Sequence, residues 1–129
     1  MKRISEEQIQ GVLRLDGHGR FKHFVKRVAD SETAWGVWKD GWALMGTNDG
    51  TEVFPLWPAR EYAELLCVAD WQNYEARAIA LDELLDDLIP SLKRRGVLPA
   101  VFPTPEGKGV TLPAEELEAW IRKELENYL

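Results

Sequence analysis

The stretch Thr33-Ala34-Trp35-Gly36-Val37-Trp38-Lys39-Asp40-Gly41-Trp42-Ala43-Leu44-Met45-Gly46 decides the fold class. Two runs rich in tryptophan and aliphatic residues flank Asp40-Gly41, the strongest short hairpin signal in the chain, because a two-residue type I′ loop needs positive φ at both positions. Counting outward from that loop pairs Lys39 with Trp42, Trp38 with Ala43, Val37 with Leu44 and Trp35 with Gly46. One face then carries Trp35, Val37, Lys39, Trp42, Leu44 and Gly46, with Trp35 lying over the cross-strand Gly46, and the other carries Ala34, Gly36, Trp38, Ala43 and Met45. Both faces are largely apolar, so either the sheet is covered on both sides or Trp38 stands partly in water as an anchor.

Asn48-Asp49-Gly50 reads as a second turn, leading into a third strand, Thr51–Trp57, of an antiparallel meander. Pro55 cannot donate to a ladder and belongs at an edge or a strand end. Before the meander, Ser5 with Gln8 three residues on forms a capping box, and Ile9, Val12 and Leu13 face inward. Gly17-His18-Gly19 reads as the stop of that helix, and Phe21, Phe24, Val25 and Val28 mark a second helix over about 20–31. After the meander, Pro58 is placed to open a helix over 58–68, and Trp71–Tyr74 reads as a loop. Arg77–Ala80 is strand-like, and Leu81 to Leu92 keeps a 3–4 spacing that Pro90 should kink before Gly96 ends it. Val97–Phe102 and Val110–Leu112 read as strands around a Glu106–Gly109 turn. Pro113 opens a last helix, with Leu117, Trp120, Ile121, Leu125 and Tyr128 inward. The order ααβββαβαββα specifies an α+β fold: an N-terminal helical hairpin and a three-stranded meander extended into a mixed sheet packed by helices. Val53-Phe54-Pro55 recurs as Val101-Phe102-Pro103, each before a Pro-Ala helix opening, an echo of the kind duplication leaves.

The 129 residues suit a single domain, 1–129. With 45% hydrophobic and 29% charged residues the chain can form a core and is not disordered by composition. The opening residues Met1 to Glu7 lack the apolar run of a signal peptide, and no stretch is long enough to span a bilayer, so a cytoplasmic protein without membrane contact is expected. One cysteine, Cys67, cannot form an internal disulfide. The net charge of −6 argues against a polyanion-binding surface. Its distribution is uneven, since residues 1–30 carry seven Lys/Arg against four Asp/Glu and the remainder carry nine against eighteen.

No chemical constellation stands out. His18, His23 and Cys67 have neither the i, i+4 nor the C-x-x-C spacing of metal ligands, so no metal, cofactor or catalytic residue is expected. Carboxylate pairs fall on helix surfaces, where charge is ordinary. Gly107-Lys108-Gly109 resembles a phosphate loop without the spacing of one. The composition does contain an excess: six tryptophans against four phenylalanines and three tyrosines. Most of these rings are expected to fill the core. One or two left outside would supply a partner site, because Trp and Arg are favoured at interface hot spots.

Asp40-Gly41-Trp42-Ala43-Leu44, Val53-Phe54-Pro55-Leu56-Trp57-Pro58 with Glu61-Tyr62-Ala63, Leu81-Asp82-Glu83, and Val101-Phe102-Pro103-Thr104-Pro105 with Gly107-Lys108-Gly109-Val110 together resemble the bacterial family called domain of unknown function 2750. The likeness runs along nearly the whole chain and implies no activity. A looser similarity, in layout alone, is to domains of the enhanced-serine-sensitivity type. The resulting expectation is a small non-catalytic binding module, a regulator or immunity-type partner, that meets an unknown protein through Trp38, Trp57 and Arg60, with a homodimer admitted. The alternative is an enzyme or a small anionic-ligand binder using Lys108 with Arg60. Nucleic-acid binding by Arg20, Lys22, Lys26 and Arg27 comes third.

Overall fold

The computed structural model describes residues 4–46, 49–68, 71–105, 107 and 109–128. Helix α1 (Glu6–Leu13) starts on the expected capping box: Gln8 N donates to Ser5 Oγ at 3.2 Å, and Ser5 N donates to Gln8 Oε1 at 3.1 Å. Helix α2 runs from Gly17 to Ser31 and begins three residues before the expected start. The Asp16 carboxylate accepts from Gly19 N at 2.7 Å, and this cap draws Gly17-His18-Gly19 into the first turn, where a stop had been expected. Phe21, Phe24, Val25 and Val28 are buried as the spacing requires.

The meander is only partly realised. Strand β1 (Thr33–Trp38) closes back on the following segment by one bridge, Trp38 to Trp42, one residue out of the expected register. Asp40 and Gly41 both have positive φ, 56° and 147°, but a φ of 147° lies far from the second position of a type I′ turn, so the loop takes three residues, Lys39 to Gly41. The chain then leaves β1, and β2 (Met45–Gly46) pairs antiparallel with β3 (Glu52–Leu56) instead. Of the expected second turn, Asn48 lies outside the described residues.

The principal partner of β1 is β4 (Glu75–Ala80), antiparallel, with Trp35 opposite Ala78 and Trp38 opposite Glu75. A second sheet has the order β2-β3-β5-β6, where β5 is Leu98–Val101 and β6 is Val110–Thr111, and in it β3 and β5 are parallel. A two-bond bridge joins the sheets: Trp35 N donates to Trp57 O at 2.9 Å, and Trp57 N donates to Trp35 O at 2.8 Å. Phe102 N donates to Leu56 O, so Leu56 turns its main-chain groups toward β5. By alternation Pro55 turns its nitrogen to the opposite edge, past the end of β2, where no ladder bond is lost. The two Val-Phe-Pro strings lie in neighbouring strands, but the register sets Val101 opposite Leu56, not opposite Val53.

Helix α3 is short, Arg60–Glu64. Both main-chain groups of Trp57 are committed to β1, the chain bends at Pro58 and Ala59, and the helix opens at Arg60 instead of at Pro58 as expected. The Leu81 helix divides into α4 (Leu81–Glu83), a π turn (Leu84–Leu88) and α5 (Ile89–Arg95), closed by Gly96 at φ 67°. The π turn takes the place of the expected proline kink. Pro90 removes one donor and crowds the carbonyl four residues back, and Ile89 N instead reaches Leu84 O, five residues back. In α6 (Ala114–Leu125) the stripe Ala114, Leu117 and Ile121 is buried against α2 and α5. Trp120, expected inward, lies beside that stripe and is 46% exposed, with its ring edge on Phe21 at 5.6 Å between centroids. Tyr128, also expected inward, is exposed. Among the described residues no helix is long and apolar enough to cross a membrane.

Gly109 packs closest to neighbouring backbone. A Cβ there would lie 2.7 Å from Val101 O and 3.0 Å from Pro103 N, both backbone atoms that cannot swing away, whereas a Cβ on Gly46 meets nothing within 4 Å. Gly109→Ala is therefore expected to cost about 1–3 kcal/mol of unfolding free energy, and Gly46→Ala to stay within about 0.5 kcal/mol of wild type. Paired urea titrations check this, and equal midpoints for the two variants would refute the packing at β6.

Candidate functional site

Each face of the ribbon β1–β4 carries a tryptophan beneath an arginine. Ala34, Gly36 and Trp38 alternate onto one face, and Trp35 and Val37 onto the other. On the Trp38 face, the Trp42 ring stands perpendicular to Trp38 with centroids 5.0 Å apart. It lies over Gly36, where a Cβ would come within 3.0 Å of the Trp42 ring, and it reaches Phe54 of β3 at 5.8 Å between centroids. A ring does lie over a cross-strand glycine, as the sequence suggests, but the pair is Trp42 and Gly36 instead of Trp35 and Gly46.

Arg77 comes from β4 opposite Gly36, and the absent side chain there leaves its guanidinium free to cross diagonally, 3.9 Å above the centre of the Trp38 ring. Glu75, on the same face, reaches Arg77 at 3.6 Å. At the open end of the ribbon the Trp71 and Tyr74 rings meet at a tilt of 52° with centroids 4.8 Å apart, and Lys39 Nζ lies 5.9 Å from the centre of Tyr74. Trp38, Trp42, Trp71 and Tyr74 are all half-buried. Trp38 and Trp42 form a half-buried aromatic pair bordered by Arg77, and Trp71 with Tyr74 forms a separate half-buried pair beside Lys39.

The four residues singled out from the sequence do not converge. Trp38 lies in the pair bordered by Arg77. Arg60 belongs to the opposite face, 4.9 Å above the centre of the nearly buried Trp35 ring. Trp57 is 1% exposed, and its indole Nε1 donates to Pro103 O at 2.8 Å, so its place as a surface anchor is corrected to a core residue whose one polar atom is satisfied. Lys108 lies outside the described residues. The cation that the fold brings to its turn is Arg20, whose Nη2 would lie 3.8 Å from a Cβ on Gly107. Of the proposed basic stripe, Lys22 and Lys26 are exposed, while Arg20 is half-buried and spends a donor on Leu15 O.

Sequence reading missed Trp42 and Arg77 as the companions of Trp38. Trp42 follows from a one-residue change of register. Arg77 was legible as the one cation alternating with Ala76, Ala78 and Ala80 along β4, a pattern that presents a single long side chain to one face.

The family model described as Protein of unknown function (DUF2750) matches residues 21–121. The chain belongs to that family. The matched span omits α1 and the first four residues of α2 and contains the β1–β4 ribbon and Trp57, so the Trp38–Trp42 pair lies within the DUF2750 domain. No curated protein and no solved structure gives a match.

Cys67 and His23 complete the set of reactive groups. The Cys67 thiol, 3.6 Å from Ala63 O, is pushed up by burial and then by Glu64, which keeps it protonated at neutral pH. His23 has its ring near Tyr62 (6.2 Å) and Phe102 (6.3 Å), with Nε2 enclosed and without a hydrogen-bond partner among the described residues. Burial, and secondarily Arg27, hold its pKa below the ordinary 6.5. The unfolded chain therefore binds the proton more readily than the folded one, and stability falls as pH drops through 6.5 toward the folded value. Acidification from about pH 7.5 to about pH 5 is expected to destabilise the wild type more than His23→Phe, which removes both the titration and the orphaned nitrogen. Thermal melts across that range check it. Identical pH profiles for the two proteins would contradict the enclosed imidazole.

Proposed function

We propose that this DUF2750 protein is a non-catalytic interaction module of the bacterial cytoplasm, a regulator or immunity-type partner, which docks another protein on the Trp38–Trp42–Arg77 patch. The observation that carries the reading is the half-buried Trp38–Trp42 pair with Arg77 stacked on it at 3.9 Å. Large rings held rigidly by strand and turn lose little conformational entropy on binding, and Trp and Arg are the side chains over-represented among those that dominate interface energetics. Glu75, 3.6 Å from Arg77, supplies a polar contact at the margin of this apolar pair, as is usual in a protein-docking surface.

Truncation at the centre of such a patch should cost about 2 kcal/mol or more of binding, a loss of about thirtyfold in affinity. Affinity capture from the native host lysate with mass spectrometry, run in parallel on wild type, Trp38→Ser and the exposed-helix control Trp120→Ser, tests this. The expected result is a protein retained by wild type and by the control and lost with Trp38→Ser, while the melting profile of Trp38→Ser stays cooperative. Identical captures by all three proteins would refute the patch.

A further inference from the structure

Strand β4 has a free edge. Trp35 and Val37 turn their main-chain groups away from β4, toward Trp57 and Ala43, so Ala34, Gly36 and Trp38 are the residues of β1 that bond to β4. On β4 the bonded residues are accordingly Glu75, Arg77 and Ile79, and alternation points the N–H and C=O groups of Ala76 and Ala78 outward. Among the described residues nothing takes up those outward groups. Ala78 is exposed and Ala76 half-buried, and neither side chain is long enough to shield the edge. Glu75 and Arg77 put charge of both signs on this edge, but Glu75-Ala76-Arg77-Ala78 has neither a proline nor a bulge to block pairing.

We propose that β4 is the seam of a twofold dimer, in which the β4 strands of two copies pair antiparallel about Ala76. The occupant is set by charge. With Ala76 on the axis, Glu75 of each copy stands directly opposite Arg77 of the other, on the same face of the joined sheet. Moving the axis by one residue in either direction sets Arg77 against Arg77 or Glu75 against Glu75, so repulsion opposes both neighbouring registers. Glu75 and Arg77 are well exposed and their mutual contact is a loose 3.6 Å, which leaves both available for exchange between copies. The outcome is a four-stranded antiparallel sheet, β1-β4-β4-β1, with both Trp38 patches on one face. This assembly stands independently of whether those patches bind a further protein.

Sedimentation velocity over a concentration series, from the micromolar to the millimolar range, tests the seam. The wild type is expected to pass from monomer to dimer. Glu75→Arg places like charges across the axis and should weaken the dimer by about tenfold or more, and the swapped double variant Glu75→Arg with Arg77→Glu should restore it. Ala76→Pro, which removes an outward donor that the monomer does not use, should leave a folded monomer by circular dichroism, and the amide hydrogens of Ala76 and Ala78 should gain protection from exchange only at dimer concentrations. A wild type that stays monomeric throughout, as it would if the edge served only a foreign peptide, overturns the proposal. So does a dimer that Glu75→Arg and Ala76→Pro leave equally tight, which would place its interface elsewhere.

Discussion

The reciprocal pair of hydrogen bonds between Trp35 and Trp57 is the joint on which the architecture turns. It is the bridge between the two-stranded and four-stranded sheets, and it fixes the chain direction of everything after β3. Trp57 gives both main-chain groups to β1, the chain bends at Pro58 and Ala59, α3 starts late, and Arg60 arrives above Trp35 instead of beside Trp38. The side chain of Trp57 extends the same constraint: its indole holds Pro103 O, forty-six residues away, and so fastens the turn after β5 to the junction. One residue thus ties three strands by main-chain and side-chain bonds, and losing a buried hydrogen-bonded donor of this kind leaves an unpaired acceptor behind.

That joint also sorts the tryptophans. Trp35 and Trp57 serve the junction and are buried, and Trp120 rests on the flank of α6. Trp38 and Trp42 remain half out, perpendicular to one another across a three-residue loop, with Phe54 beneath and Arg77 above. The two faces of the ribbon follow one rule, a guanidinium laid over an indole, with different consequences. Over Trp35 the arginine closes a core. Over Trp38 it borders a half-exposed surface.

The fold class was legible from period, caps and turn residues: the α2 stripe, the Ser5–Gln8 box, the Gly96 stop and the strand character of 33–38 all follow from local chemistry. The register of β1 was not. Sheet register is strongly specified where one face is apolar and the other polar, and β1 is apolar on both, so sequence alternation cannot choose between pairing Trp38 with Ala43 and pairing it with Trp42. Long-range pairing was equally hidden, since nothing in Glu75-Ala76-Arg77-Ala78 announces β1 as its partner. For the same reason only Trp38 of the patch was identified in advance: its companions are set by register and by a contact across some forty residues, both properties of the assembled sheet. Trp57 was misplaced because its position at the end of an expected strand, just before Pro58, does not show which side is covered, whereas here its main chain forms the bridge between sheets and its ring is buried.

The division of the indoles into a sealed junction and a half-open pair is the central claim, and fluorine NMR of protein labelled with 5-fluorotryptophan measures it directly. Six resonances, assigned by single Trp→Phe replacements, report solvent contact through the shift between light and heavy water. The account predicts no isotope shift for Trp57, next to none for Trp35, and clear shifts for Trp38 and Trp42 alongside the exposed Trp120. A silent Trp38, or a Trp57 that responds to solvent as Trp120 does, would contradict it.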